Sequence, residues 1–186
     1  MTDTSERPMD PAQTPSAYVF HPAATVEPPW TTLAPIALGE GGLKGHLLVE
    51  KDGAPCVRFE LRKSTGAESW SGPEAVFWNG VFAIGFAERV YFVNPDGTRI
   101  NRIALDEYFC GFHAGEDGLL VATGGRVLRL DERGGVVWRS GRLALDGVVI
   151  RTVRDGVVFG DGEWDPPGGW RPFALALSDG TTAERT

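Results

Sequence analysis

Residues 117–140 read DGLLVATGGRVLRLDERGGVVWRS, and this stretch decides the fold class. Two apolar runs of strand length, Leu119–Thr123 and Arg126–Leu130, flank the pair Gly124-Gly125. A third run, Val136–Arg139, follows the turn Asp131–Gly135 and contains Trp138. Short apolar runs punctuated by glycine specify an antiparallel meander, because glycine supplies the positive φ of tight hairpin turns.

The same order recurs on both sides. Upstream, Ala75–Trp78, Val81–Phe86, Arg89–Val93 and Thr98–Leu105 predict four strands joined at Asn79-Gly80, Ala87-Glu88 and Asn94–Gly97. Glu107–His113 precedes the quoted stretch, and Gly147–Val153 and Val157–Gly160 follow it, joined at Asp155-Gly156. Asn79-Gly80, Asp117-Gly118 and Asp155-Gly156 are spaced by 38 residues, twice. A second turn series, Gly97, Gly134 or Gly135, and Gly180, keeps nearly that interval once about eight residues within 161–169 are set aside as an insertion. A unit of about 38 residues and four strands has the size of a β-propeller blade. The expected fold is therefore all-β: a small β-propeller of about four blades of four-stranded antiparallel sheets, with a β-sandwich or an open propeller arc as alternatives. Blades cover one another's faces, which accounts for the unbroken apolar run Val148–Ile150 and places Trp138 across a blade-to-blade contact.

The expected organisation is a disordered tail over 1–16 and one propeller-like domain over 17–186. Its repeat units are 74–105, 107–145 and 147–183, after an atypical first blade at 17–61. The hairpin 46–61 reads as the back half of that blade. Its front half would come from 17–38, within a region where seven of the 13 prolines precede Ile36. Tyr18, Phe20 and Trp30 are expected to dock on the domain. The last blade is expected to borrow an N-terminal strand, or else an open arc to pair its edge with another copy as a homodimer.

Net charge is −7 and no basic run exists, which argues against nucleic acid as a partner. The 15 arginines and 3 lysines are scattered. No signal-peptide pattern and no membrane-length apolar segment is present, so a cytoplasmic protein without a membrane partner is expected. Cys56 and Cys110 read as reduced, half-buried packing.

Asp117–Thr123, Arg126–Asp131 and Gly134–Trp138 together resemble the blade motif of PQQ-like (quinoprotein-type) β-propellers: a DG turn, a strand, a glycine turn, a strand ending in Leu-Asp, then glycine and a strand with tryptophan. Residues 79–105 match more loosely, and 147–182 match at the turns. The resemblance implies a propeller fold. Its members include scaffold and assembly proteins as well as dehydrogenases, and the dehydrogenases' metal-ligating residues have no counterpart here, so no quinone cofactor is carried over.

Motifs for chemistry are sparse. His21, His46 and His113 belong to no metal-binding spacing. Cys110 and His113 lie three apart, and the strand period of two places them on opposite faces, away from a nucleophile–base pair. No catalytic, cofactor or metal residue is assigned. What exceeds repeat architecture is the insertion, where Glu163, Trp164, Asp165 and Trp170 are candidates for contact with a partner. The competing reading has both indoles folded back over the blade. The expected function is a non-enzymatic protein-binding module engaging a partner through face loops, with an immunity- or antitoxin-like role as one form of it. The alternatives are an enzyme with a site in the central channel, or a self-associating structural subunit.

Overall fold

The computed structural model describes residues 18–64, 72–115, 118–165 and 168–183, so the expected tail 1–16 lies outside it. The described chain is all-β, with one 3-10 turn at Trp30–Thr32. The first sheet holds β1 (Tyr18–Ala23), β2 (Pro35–Gly39), β3 (Gly42–Lys51) and β4 (Ala54–Lys63), in the order β1-β3-β4-β2. The second holds β5 (Glu74–Trp78), β6 (Val81–Phe86), β7 (Arg89–Val93) and β8 (Arg99–Ala104) in chain order. The third holds β9 (Phe109–Gly115), β10 (Gly118–Thr123), β11 (Val127–Leu130) and β12 (Val136–Arg139) in chain order. The fourth holds β13 (Val148–Arg154), β14 (Val157–Glu163) and β15 (Trp170–Ala176). The first strands of the sheets, β1, β5, β9 and β13, lie next to one another and form the inner side. This is a four-bladed β-propeller architecture.

Consecutive blades share apolar cores. Leu47, Val49, Phe59 and Leu61 of the first blade meet Phe82 and Ile84 of the second. Ala83, Val90 and Phe92 meet Phe109, Leu119 and Val121 of the third. Leu120, Val127 and Trp138 meet Val148, Val158 and Leu175 of the fourth. Tyr18 and Phe20 dock as expected, with ring centroids 5.0 and 5.6 Å from Phe82 in edge-on geometry. Among the described residues no buried cluster joins the fourth blade to the first, so these residues form an open arc with three cores.

The second turn series explains its own spacing. Gly97, Gly134 and Gly180 all have positive φ, and a Cβ on them would lie 2.7 Å from Ile36, 2.8 Å from Phe92 and 2.5 Å from Trp138. Each outer turn is thus seated on a side chain of the preceding blade, and only glycine allows the approach. The indole N–H of Trp138 also donates to the Leu177 carbonyl at 2.9 Å, which fixes the blade-to-blade contact expected of it.

All three turns are also pinned by carboxylates, that of Gly134 by Asp131, which accepts from the Arg133 and Gly135 amides. Amide and hydroxyl of Thr98 donate to Asp96, those of Thr181 to Asp179, and these bonds hold both carboxyls below the usual value of 3.8. A depressed folded pKa contributes stability that is present above the unfolded value and is lost as pH falls through the folded one. Thermal unfolding should therefore show a midpoint that declines below about pH 4. In an Asp96→Asn/Asp179→Asn variant that part of the decline should be missing.

The first blade departs from expectation. The hairpin β3–β4 forms its centre, and 17–38 supplies one strand to each side of it rather than a front half. The physical cause is that β3 and β4 each have a free edge, while the proline-broken stretch between β1 and β2 cannot itself be sheet. Since β2 pairs with β4 in parallel, residues 24–34 must run back along the sheet. One face is taken by the second blade, so this crossover lies on the other, where Leu48 and His46 are buried.

Register corrects the turn alignment as well. Asn79-Gly80 and Asp155-Gly156 are two-residue turns with positive φ at both positions. In the third blade, however, Gly118 already pairs with Gly115, so it belongs to β10 and not to the turn. Equivalent positions Trp78, Gly115 and Arg154 are 37 and 39 residues apart.

Among the described residues the fourth blade borrows no N-terminal strand, because both β1 and β2 are used in the first. Among the described residues its outer border is covered where Thr181–Ala183 pair with Ala174–Ala176. Next along that border stands Pro172, which has no N–H to offer. The blade's free face is partly polar. Arg154 stands where the second blade has Trp78, and its guanidinium lies 4.7 Å above the Phe159 ring. Arg151 bridges to Asp161 at 2.9 Å.

Candidate functional site

The insertion is a lengthened hairpin. Asp161↔Pro172, Gly162↔Arg171 and Glu163↔Trp170 add rungs to β14 and β15. Residues before β13 join the same rungs: Leu145 and Asp146 donate to the Glu163 carbonyl, and Glu163 donates to that of Gly147 at 2.9 Å. Gly162 permits this, since a Cβ there would collide with the Leu143 carbonyl.

The four partner-contact candidates separate. Trp170 is 44% exposed and its ring edge reaches across Gly147. Trp164 is half-buried with the Arg171 guanidinium 5.6 Å from its ring. Glu163 is half-buried and accepts from the Gly168 amide at 2.6 Å, while Asp165 is exposed. One indole therefore folds against the blade and the other faces solvent. Pro166 and Pro167 lie outside the described residues.

Around Trp170 the structure gathers residues that sequence reading missed. Leu145, 54% exposed, is joined through Glu163 to the Trp170 rung. Val149 and Pro172, both exposed, lie one rung further along the face that presents Trp170. Leu145, Val149, Trp170 and Pro172 thus form an apolar patch at the rim of the arc. Beneath it, the Tyr108 hydroxyl donates to Asp146 at 2.7 Å. Burial and that bond push the phenol far above its usual value, so it stays a donor.

Other candidate chemistry is not assembled. A β-bulge at Ala122/Thr123 makes Cys110 an extra residue in β9, so Cys110 and His113 both face the fourth blade, contrary to the simple period of two. Cys110 hydrogen-bonds with Tyr108 and the Val148 backbone, and burial pushes its thiol up to about 11. The native thiol should react with iodoacetamide near pH 8 far more slowly than the unfolded one, as mass spectrometry would show; equal rates would refute this burial. On the inner side, Glu74 accepts from the Phe112 amide at 3.3 Å, and desolvation raises its carboxyl above the usual range. A cleft of about 920 Å³ lies at the opposite end of the blades, between Trp78, Leu130, Arg133 and Val137, with no histidine in its lining. No helix among the described residues is long and apolar enough to cross a membrane.

No family model and no curated protein matches the chain. Among solved structures it is similar to a protein of unknown function from Bacteroides caccae, with TM-score 0.50 and 17% identity over 75% of this chain and 58% of that one. It is also similar to BBS1N, solved in complex with ARL6DN, at TM-score 0.44 and 10% identity over 72% of this chain and 43% of that one. A third similar structure is the AfRom2 CNH domain, at TM-score 0.39 and 12% identity over 92% of this chain and 70% of that one. The chain spans little more than half the length of the first of these and less than half of the second. What the first likeness establishes is the fold.

Proposed function

We propose that this protein is a non-enzymatic binding module of PQQ-like repeat type that engages a protein partner through the rim of its fourth blade. The carrying observation is that Trp170 and Pro172 on the lengthened hairpin, and Leu145 and Val149 on the segment bonded to it, are all left exposed. Exposed tryptophan beside aliphatic surface suits partner contact, since a large rigid ring buries much area at little entropic cost. The site residues are Trp170, Leu145, Val149 and Pro172, with Glu163 and Asp165 on the border; Trp164 holds the hairpin.

The arc's ends do not favour a ring completed by copies. One is covered by the crossover 24–34, and the lower part of the other is covered by Arg151–Asp161 and Arg154, as terminal repeats require. An immunity-like role in the cytoplasm remains a reading of composition and architecture.

The test compares affinity capture by the native chain and a Trp170→Ala/Leu145→Ser variant from an extract of the source cells. Stability should move by no more than about 0.5 kcal/mol, because both side chains are exposed. Recovery of the specific partner should fall at least about tenfold. Undiminished recovery would remove the patch from the binding surface.

A further inference from the structure

We infer that the partner surface seated on the Trp170 patch is basic: an aliphatic or aromatic anchor flanked by lysine or arginine. This rests on the binding reading above and adds the partner's chemistry to it. Asp146, Asp161, Glu163 and Asp165 surround the apolar residues. Among the described residues only Asp161 of these has a cation, Arg151 at 2.9 Å. Asp146 accepts from the neutral Tyr108 hydroxyl and Glu163 from the neutral Gly168 amide. Those bonds hold the carboxylates in place and leave their charge uncompensated. The nearby Arg171 is turned onto the Trp164 ring. Three negative charges thus rim the apolar surface of a chain whose net charge is −7. Burying this patch under an acidic partner would set like charges against each other, whereas a basic one gains both steering and pairing.

The probes are three synthetic peptides of equal length, titrated into the full isotopically labelled chain. One alternates lysine with leucine and tryptophan, one replaces its lysines by glutamate, and one keeps lysine but replaces the apolar residues by serine. Resonances of the Trp170 indole N–H and of the Gly147 and Val149 amides report the patch. The lysine–leucine–tryptophan peptide should saturate these shifts, and raising salt from about 50 mM to about 500 mM should weaken it about tenfold, as for rim charges exposed to counterions. Asp165→Asn should weaken it a few-fold while leaving the hairpin spectrum intact. Equal saturation by the glutamate peptide would overturn the inference while leaving the patch a binding surface. Equal saturation by the lysine–serine peptide, or shifts scattered over all acidic segments, would also overturn it. The partner-capture experiment judges the binding reading separately.

Discussion

Trp138→Ala should cost the fold about 3–5 kcal/mol, read as a lowered urea midpoint. The side chain is 8% exposed, fills the core between third and fourth blades and supports Gly180 on its ring. Its indole N–H is also one of two donors to the Leu177 carbonyl, with Arg129 the other at 3.2 Å. Trp138→Phe separates the contributions. It keeps most of the apolar contact and loses the N–H, so about 0.5–1.5 kcal/mol of the loss should remain. An alanine variant within about 1 kcal/mol of native would mean that the fourth blade does not depend on this contact.

Gly134→Ala should cost about 2–4 kcal/mol. The position has φ +76°, and its Cβ would lie 2.8 Å from the ring of Phe92. Phe92 is 2% exposed in the core between second and third blades, so the ring has nowhere to retreat. Gly141→Ala is the control: nothing lies within 4 Å of a Cβ there, and its effect should stay within about 0.5 kcal/mol. Equal losses at both positions would show that the cost does not come from the seat on the preceding blade, since the reduced entropy of the unfolded alanine chain can only favour folding.

The blades from β5 onward were legible because their pairings are local. Each strand meets its neighbour across a turn whose residues announce the geometry, as at Asn79-Gly80. The first blade was not, because its edge strands find β3 and β4 across a crossover that leaves no turn signal. A one-residue error in the interval on each side of the third blade came from Gly118, which looks like a turn glycine and is the first rung of a strand. Cys110 and His113 show the same limit: one bulge residue in β9 reverses a face assignment made by counting. At the candidate site, composition pointed to the hairpin that carries Trp170. Leu145 and Val149 precede it in the chain, and only the backbone bonds to Glu163 and the pairing with β14 bring them beside Trp170.

Pro172 bears on how the molecule behaves when crowded. Among the described residues the fourth blade lacks a full outer strand, and such a border would ordinarily offer a template for another chain to zip onto, and from there to stack into fibrils. The pyrrolidine ring removes the donor that such growth would need at the next rung, and its fixed φ disfavours a continuous intruding ladder. A border left open beyond Pro172 can therefore be kept without making the molecule sticky along its flank.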